Sequence, residues 1–128
     1  MTKPPLISVV DDDDSVRESL RGLMRSVGFA VAVFASAEKF LISDDLRNTD
    51  CLILDVRMPG MNGLDLQRHL VKAHHQIPIV FITAHGNEEA RRGALNGGAA
   101  SYLLKPFSEE ALLNAIDAAL KSKEDGSR

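Results

Sequence analysis

The sequence predicts an α/β fold, a five-stranded parallel sheet flanked by five helices, and three observations lead there. Apolar runs of strand length recur along the chain, segments with helical spacing lie between them, and the runs are apolar nearly throughout. Strands alternating with helices of roughly ten to fifteen residues imply βαβ units, right-handed crossovers and helices on both sheet faces. Strands covered on both faces lose the polar alternation of half-exposed antiparallel sheets. The 128 residues make one domain of ordinary size, since domains typically run about 100 to 150 residues.

The elements follow in order. Leu6 to Val10 is the first strand. Val16, Leu20, Leu23 and Val27 fall at i, i+4, i+7 and i+11 and predict the first helix, with Gly28 standing where a left-handed cap belongs. Asp13 and Asp14 read as solvated capping acids before it, and Ser15 with Glu18 fits a capping box. Phe29 to Phe34 is the second strand, and Phe40 and Leu41 after Ser36 mark a second helix. Cys51 to Leu54 is the third strand, followed by a helix carrying Leu66 and Leu70 after Gly63. Ile77 to Ile82 is the fourth strand.

The fourth helix, about Asn87 to Asn96, is the poorest. Its apolar content is Ala90, Ala94 and Leu95, and Gly93 inside it costs about 0.5–1 kcal/mol relative to alanine, so the segment is expected to be mobile. Ser101 to Leu104 is the fifth strand. Ser108 caps a last helix with Leu112, Ile116 and Leu120 on its apolar side, and Phe107 can staple onto Leu112. From Lys121 to Arg128 the chain is polar and reads as a frayed end or the start of a linker, so residues 1–121 are assigned to the domain and 122–128 to the tail. The arrangement is of the flavodoxin-like, doubly wound (βα)5 type, in which ligands sit beyond the carboxyl ends of the strands at the topological switch point.

With 45% hydrophobic and 26% charged residues the chain can bury a core. A net charge of −3 argues against a nucleic-acid surface. No apolar run approaches the ~18 residues of a membrane span, and Met1 to Pro5 with the short run after it is no signal peptide, so a cytoplasmic home is expected. Cys51 is the single cysteine, with no partner for a disulfide or a zinc pattern, and reads as a small buried residue.

Polar residues at the strand ends give a pattern that composition does not. Asp11 to Asp14 end the first strand, Asp55 the third, Thr83 the fourth and Lys105 the fifth, and this fold brings all of them to one edge. Like charges ~4 Å apart repel by about 4 kcal/mol at an effective dielectric of 20. Converging carboxylates therefore call for a hard divalent cation, and Mg²⁺ takes one or two carboxylates while bridging to phosphate oxygens. Carboxylates, a metal, a lysine and a hydroxyl suit phosphoryl transfer with a carboxylate as nucleophile.

The motifs Val-Val-Asp-Asp at 9 to 12, Leu-Asp-Val-Arg-Met-Pro-Gly-Met-Asn-Gly at 54 to 63, Ile-Thr-Ala at 82 to 84 and Lys-Pro-Phe at 105 to 107 together resemble the receiver domain of bacterial two-component response regulators, over about Leu6 to Leu120. Phe-Ala-Ser-Ala-Glu at 34 to 38 and Arg-Met-Pro-Gly-Met at 57 to 61 further resemble the FixJ-type subgroup. The resemblance implies a signalling phosphoacceptor that assists its own phosphorylation and dephosphorylation, not an enzyme with an external substrate. Asp55 would accept a phosphoryl group from a sensor histidine kinase or phosphotransfer protein. Asp12, Asp55 and the backbone carbonyl of Arg57 would bind Mg²⁺, for which Mn²⁺ can substitute, and Asp11 would act through water. Thr83 and Lys105 would meet phosphoryl oxygens, and Tyr102 matches an aromatic switch residue that moves with Thr83.

Further expectations come with the resemblance. His85 and Arg57 would modulate dephosphorylation, and the Lys105–Pro106 peptide is a candidate cis bond. Output would use the face of the fourth helix, fifth strand and fifth helix, through a partner, self-dimerisation or a C-terminal DNA-binding effector. His74 and His75, adjacent at a helix end, read as exposed, and the four histidines make no metal constellation.

Three other readings compete. A haloacid-dehalogenase-type phosphatase needs a second aspartate where this chain has Arg57, which cannot donate a proton near neutral pH. A phosphorylation-independent module of this fold usually lacks part of the acidic pocket or the lysine, both present here. A flavodoxin-like cofactor binder would need a phosphate loop after the first strand, where four aspartates stand instead.

Overall fold

A computed structural model describes residues 3–126, with side chains as far as Lys123. The elements are β1 (Leu6–Val10), α1 (Asp14–Ser26), β2 (Ala30–Phe34), α2 (Ala37–Leu41), a 3-10 turn (Leu46–Asn48), β3 (Cys51–Asp55), α3 (Gly63–Lys72), β4 (Ile79–Thr83), α4 (Glu88–Asn96), β5 (Ser101–Leu104) and α5 (Glu109–Gly126). All strand pairs are parallel and the order is β2-β1-β3-β4-β5. The expected five-stranded sheet with five helices is therefore the observed fold.

Alternate residues of the central strands feed two cores. Val10, Leu52, Leu54 and Phe81 pack with Phe40 of α2, Leu66 and Leu70 of α3 and Ala94 of α4. Ile7, Val9, Ile53, Val80 and Ile82 face the other way, onto Leu20 and Met24 of α1 and Leu112 and Ile116 of α5. Period-two alternation of side chains sends neighbours to opposite faces; both faces are covered, which is why β1, β3 and β4 are apolar throughout. The outer strands β2 and β5 are only half-buried, as edges are. Cys51 is fully buried, and burial pushes its thiol up to about 12, so it stays protonated.

Most predicted caps are in place. Ser36, Asn87 and Ser108 accept the expected backbone N–H bonds, and Gly28 takes φ 93 after α1. Phe107 packs in the same cluster as Leu112. Asp13 caps α1 as expected, accepting from the Ser15 and Val16 backbones and from the Ser15 hydroxyl. Three details differ from expectation. The Ser15–Glu18 capping box does not form, because the helix already begins at Asp14. Val27, counted as an apolar helix position, is the cap residue of α1 and is 46% exposed, while Met24 fills the core instead.

The third concerns the chain beyond Lys121. The polar stretch expected to fray continues as helix through Gly126, and Lys123 reaches across to Asp50, whose other oxygen accepts the Leu6 N–H. That ion pair holds the last turns of α5 to the base of the sheet. Residues 127–128 of the predicted tail lie outside the described residues. His74 is exposed, with φ 62 in the left-handed position after α3. His75 is half-buried rather than exposed. Among the described residues no helix is long and apolar enough to cross a membrane.

Candidate functional site

β1 and β3 are neighbours at the place where the strand order reverses, so the residues leaving their carboxyl ends face a common crevice. Ligand atoms of Asp11, Asp12 and Asp55 all come within 4.8 Å of one another. Asp11 is fully buried, Asp55 is 6% exposed and Asp12 is open to solvent. The cluster thus has a dry side and a wet side.

The dry side is braced by cations. Lys105, from the end of β5, donates to Asp11 Oδ2 at 3.0 Å, while Asp11 Oδ1 accepts the Asp13 N–H at 2.9 Å. Arg17 of α1 donates through Nη1 to the Asp11 carbonyl at 2.7 Å and pairs with Asp14. The Lys105 N–H bonds the Thr83 carbonyl at 2.7 Å, which sets the lysine beside the β4 end, and the Lys105–Pro106 peptide is cis. Lys105 is therefore poised next to the acid cluster with Asp11 as its partner.

Asp55 pays electrostatically for its place. Burial and then the neighbouring Asp11 raise its pKa from 3.8 to about 7; Lys105 pulls it down, Asp12 adds to the rise, and the Arg57 N–H lowers it by donating to the carboxylate. Three carboxylates whose ligand atoms gather within 4.8 Å, with Lys105 set against only one of them, are what a hard divalent cation neutralises, so the donor set present fits Mg²⁺.

Thr83, buried at the end of β4, uses its hydroxyl locally: Oγ1 accepts the His85 N–H at 3.2 Å. Its strand position places it at the same sheet edge as Asp55, one strand away. Tyr102 of β5 pairs in register with Phe81, and the two rings lie 6.3 Å apart at 46°. Its hydroxyl is buried without a hydrogen-bond partner among the described residues, and burial raises its pKa. His85 and Arg57 are exposed at the rim.

Two contributors were not legible as site residues. Arg17 lies six residues past Asp11 on a helix, and only the packing of α1 brings its guanidinium to the Asp11 carbonyl. Glu38 of α2 accepts the Met61 N–H at 2.9 Å across 23 residues; its only sequence signal was membership of the 34–38 motif.

Residues 7–117 match the response regulator receiver domain family. The response regulator TodT of Pseudomonas putida is 49% identical over 116 residues, covering 91% of this chain and 51% of TodT. The transcriptional regulatory protein FixJ of Azorhizobium caulinodans is 40% identical over 121 residues, covering 94% of this chain and 57% of FixJ. The solved structure of the response regulator StyR superposes with a TM-score of 0.88 at 48% identity, covering 95% of this chain and 62% of StyR. The chain spans about half the length of the curated relatives it matches. Membership follows from the match and the identities together: the chain belongs to the response regulator receiver domain family, is of the FixJ type, and shares a family whose general features are phosphorylation and Mg²⁺ binding at an acidic aspartate cluster.

Proposed function

We propose that this domain, residues 1–121, takes a phosphoryl group onto Asp55 from a phosphohistidine of a sensor kinase or phosphotransfer protein. The observation that carries the reading is the meeting of Asp11, Asp12 and Asp55 within 4.8 Å, with Lys105 3.0 Å from Asp11. A carboxylate oxygen of Asp55 attacks phosphorus; the O–P bond forms as the N–P bond breaks, and the leaving imidazole takes up a proton. Asp12, Asp55 and the Arg57 carbonyl would hold Mg²⁺, or Mn²⁺ in its place, with Asp11 acting through water, and the ion would supply charge neutralisation at the carboxylates and the transferring group.

The protein's own part is positioning and charge. Asp55 is the acceptor, and its raised pKa means that the deprotonated nucleophile depends on neighbouring positive charge. Once the aspartyl phosphate exists, Lys105 exchanges Asp11 for a phosphoryl oxygen and Thr83 turns its hydroxyl from His85 to another. Tyr102, whose buried hydroxyl has no partner among the described residues, is the aromatic element that responds. His85 and Arg57 at the rim govern access of the hydrolytic water. The role is that of a signalling phosphoacceptor in the cytoplasm.

Output then runs through the face of α4, β5 and α5, by contact with a partner, self-dimerisation or control of a C-terminal DNA-binding effector. That FixJ is named a transcriptional regulatory protein supports the last. Leu95 and Leu104, apolar and exposed on this face, support it as a contact surface. The test is the intact mass after incubation with Mg²⁺ and a small acyl phosphate. One added phosphoryl group is expected, absent in Asp55→Asn and absent when Mg²⁺ is chelated. No added mass with acyl phosphate or with sensor kinases sinks the aspartyl-phosphate mechanism.

A further inference from the structure

The loop between β3 and α3, residues 56–62, carries Arg57 beside the acceptor, and its two ends are tied differently. At its base the Gly63 N–H returns to the Val56 carbonyl at 2.9 Å, and a Cβ on Gly63 would stand 2.3 Å from the Asp55 carbonyl oxygen, so α3 starts flush against the acceptor's backbone. There Asn62 and Asp65 complete a capping box. At its tip the Met61 N–H is satisfied by no carbonyl but by the Glu38 carboxylate of α2, Oε2 to N 2.9 Å.

Gly60 makes that approach possible. It holds φ 74, which side chains other than glycine rarely adopt, and a Cβ there would lie 2.7 Å from Glu38 Oε2. The stretches 34–38 and 57–61, separate in sequence, are thus one contact in space. Glu38 is solvent-exposed and not part of either core, so packing gives no account of its placement. Its carboxyl is also held below the usual range, first by the Met61 N–H.

We infer that Glu38 is a positioning residue for the phosphoacceptor site: by holding the tip of the β3–α3 loop through Met61, it keeps Arg57 set against Asp55. The inference rests on the reading of Asp55 and its neighbours as a Mg²⁺-assisted phosphoacceptor. Arg57 contributes through its backbone, its N–H beside the Asp55 carboxylate and its carbonyl the proposed further metal ligand, so the loop's path rather than any side chain decides that geometry. Outer partners of this kind, when lost, typically lower metal affinity by about 10–100-fold. Glu38 acts on a backbone at one remove, which puts the expected loss at the low end, about tenfold.

Mg²⁺ titrations of wild type, Glu38→Ala, Glu38→Gln, Gly60→Ala and the Glu38→Ala/Gly60→Ala double variant, followed by amide NMR shifts, test it, with acyl-phosphate labelling at saturating Mg²⁺ in parallel. Glu38→Ala is expected to weaken Mg²⁺ about tenfold, with unchanged melting temperature and faster exchange of the Met61 and Arg57 amides. Glu38→Gln keeps an acceptor oxygen and is expected to bind Mg²⁺ within about threefold of wild type. Gly60→Ala should reproduce the Ala defect, and the double variant should add nothing, because both changes break one contact. Mg²⁺ affinity within twofold of wild type for Glu38→Ala, additive losses in the double variant, or Glu38→Gln as impaired as Glu38→Ala would each overturn the inference. Failure of wild type itself to bind Mg²⁺ or to gain a phosphoryl group would instead overturn the phosphoacceptor reading beneath it.

Discussion

At Asp55, burial and the Asp11 carboxylate raise the acid from 3.8 to about 7, so the folded chain holds this proton more tightly than the unfolded one. The sign follows by linkage: the stabilisation is full below about pH 3.8 and is lost as pH rises through about 7. Metal-free protein should therefore lose stability across that window through this group, and Asp55→Asn, which carries no charge, should not. Because Asp12 leaves the cluster open to water on one side, screening trims the effect, and Asp55→Asn is expected to exceed wild type by on the order of 1–2 kcal/mol at pH 8. Urea denaturation with a chelator at pH 5 and pH 8 checks it. A gap at pH 8 no larger than at pH 5 would contradict the electrostatic cause. The acidic residues, the lysine and the threonine were all legible in the sequence, because strand-end positions in this fold share an edge. Arg17 and Glu38 were not, since a helix can present a side chain to a site from any turn and only the packed geometry says which.

Among the elements, α3 and α4 mark opposite extremes of tolerance. The first residue of α3, Gly63, is buried with the Asp55 carbonyl oxygen 2.3 Å from where a Cβ would go. Backbone cannot yield as a flexible side chain does, so Gly63→Ala should cost about 1–3 kcal/mol and slow labelling of Asp55; a thermal melt and the mass assay together read both. α4 is the converse. It buries only Ala94, and its C-terminal end is held by Gln67 of α3, whose Nε2 donates to the Ala94 carbonyl at 2.9 Å. Gly93 has nothing within 4 Å of a would-be Cβ, so Gly93→Ala should stabilise by about 0.5–1 kcal/mol through helix propensity alone. Deuterium exchange of residues 87–96, expected to be faster than in α1 or α5 and slowed by this change, measures the same weakness locally. The sequence exposed that weakness in its sparse apolar content. It missed the persistence of α5 past Lys121, because the Lys123–Asp50 pair that secures the last turns joins residues 73 apart.

Across the whole molecule, two apolar layers hold the sheet while an acidic cluster only partly compensated by Lys105 gathers at one end of it, so a bound divalent ion should stabilise the entire fold. A ligand at 100 times its Kd adds about 2.7 kcal/mol when it binds only the folded state. Mg²⁺ should give wild type a gain of that order at pH 8 and Asp55→Asn a distinctly smaller one, and denaturation midpoints with and without Mg²⁺ will show whether it does; equal gains would place the ion elsewhere. The sequence by itself determined the strand and helix order, the parallel sheet and the edge at which the acids gather, because hydrophobic periodicity and strand-end chemistry are local properties that chain order preserves. Only the tertiary structure decided that Lys105 rests on Asp11, that Arg17 reaches the Asp11 carbonyl, and that Glu38 meets Met61. Each of those is a contact chosen among several sterically possible partners, and the choice depends on how the helices pack against the sheet, which no stretch of sequence records.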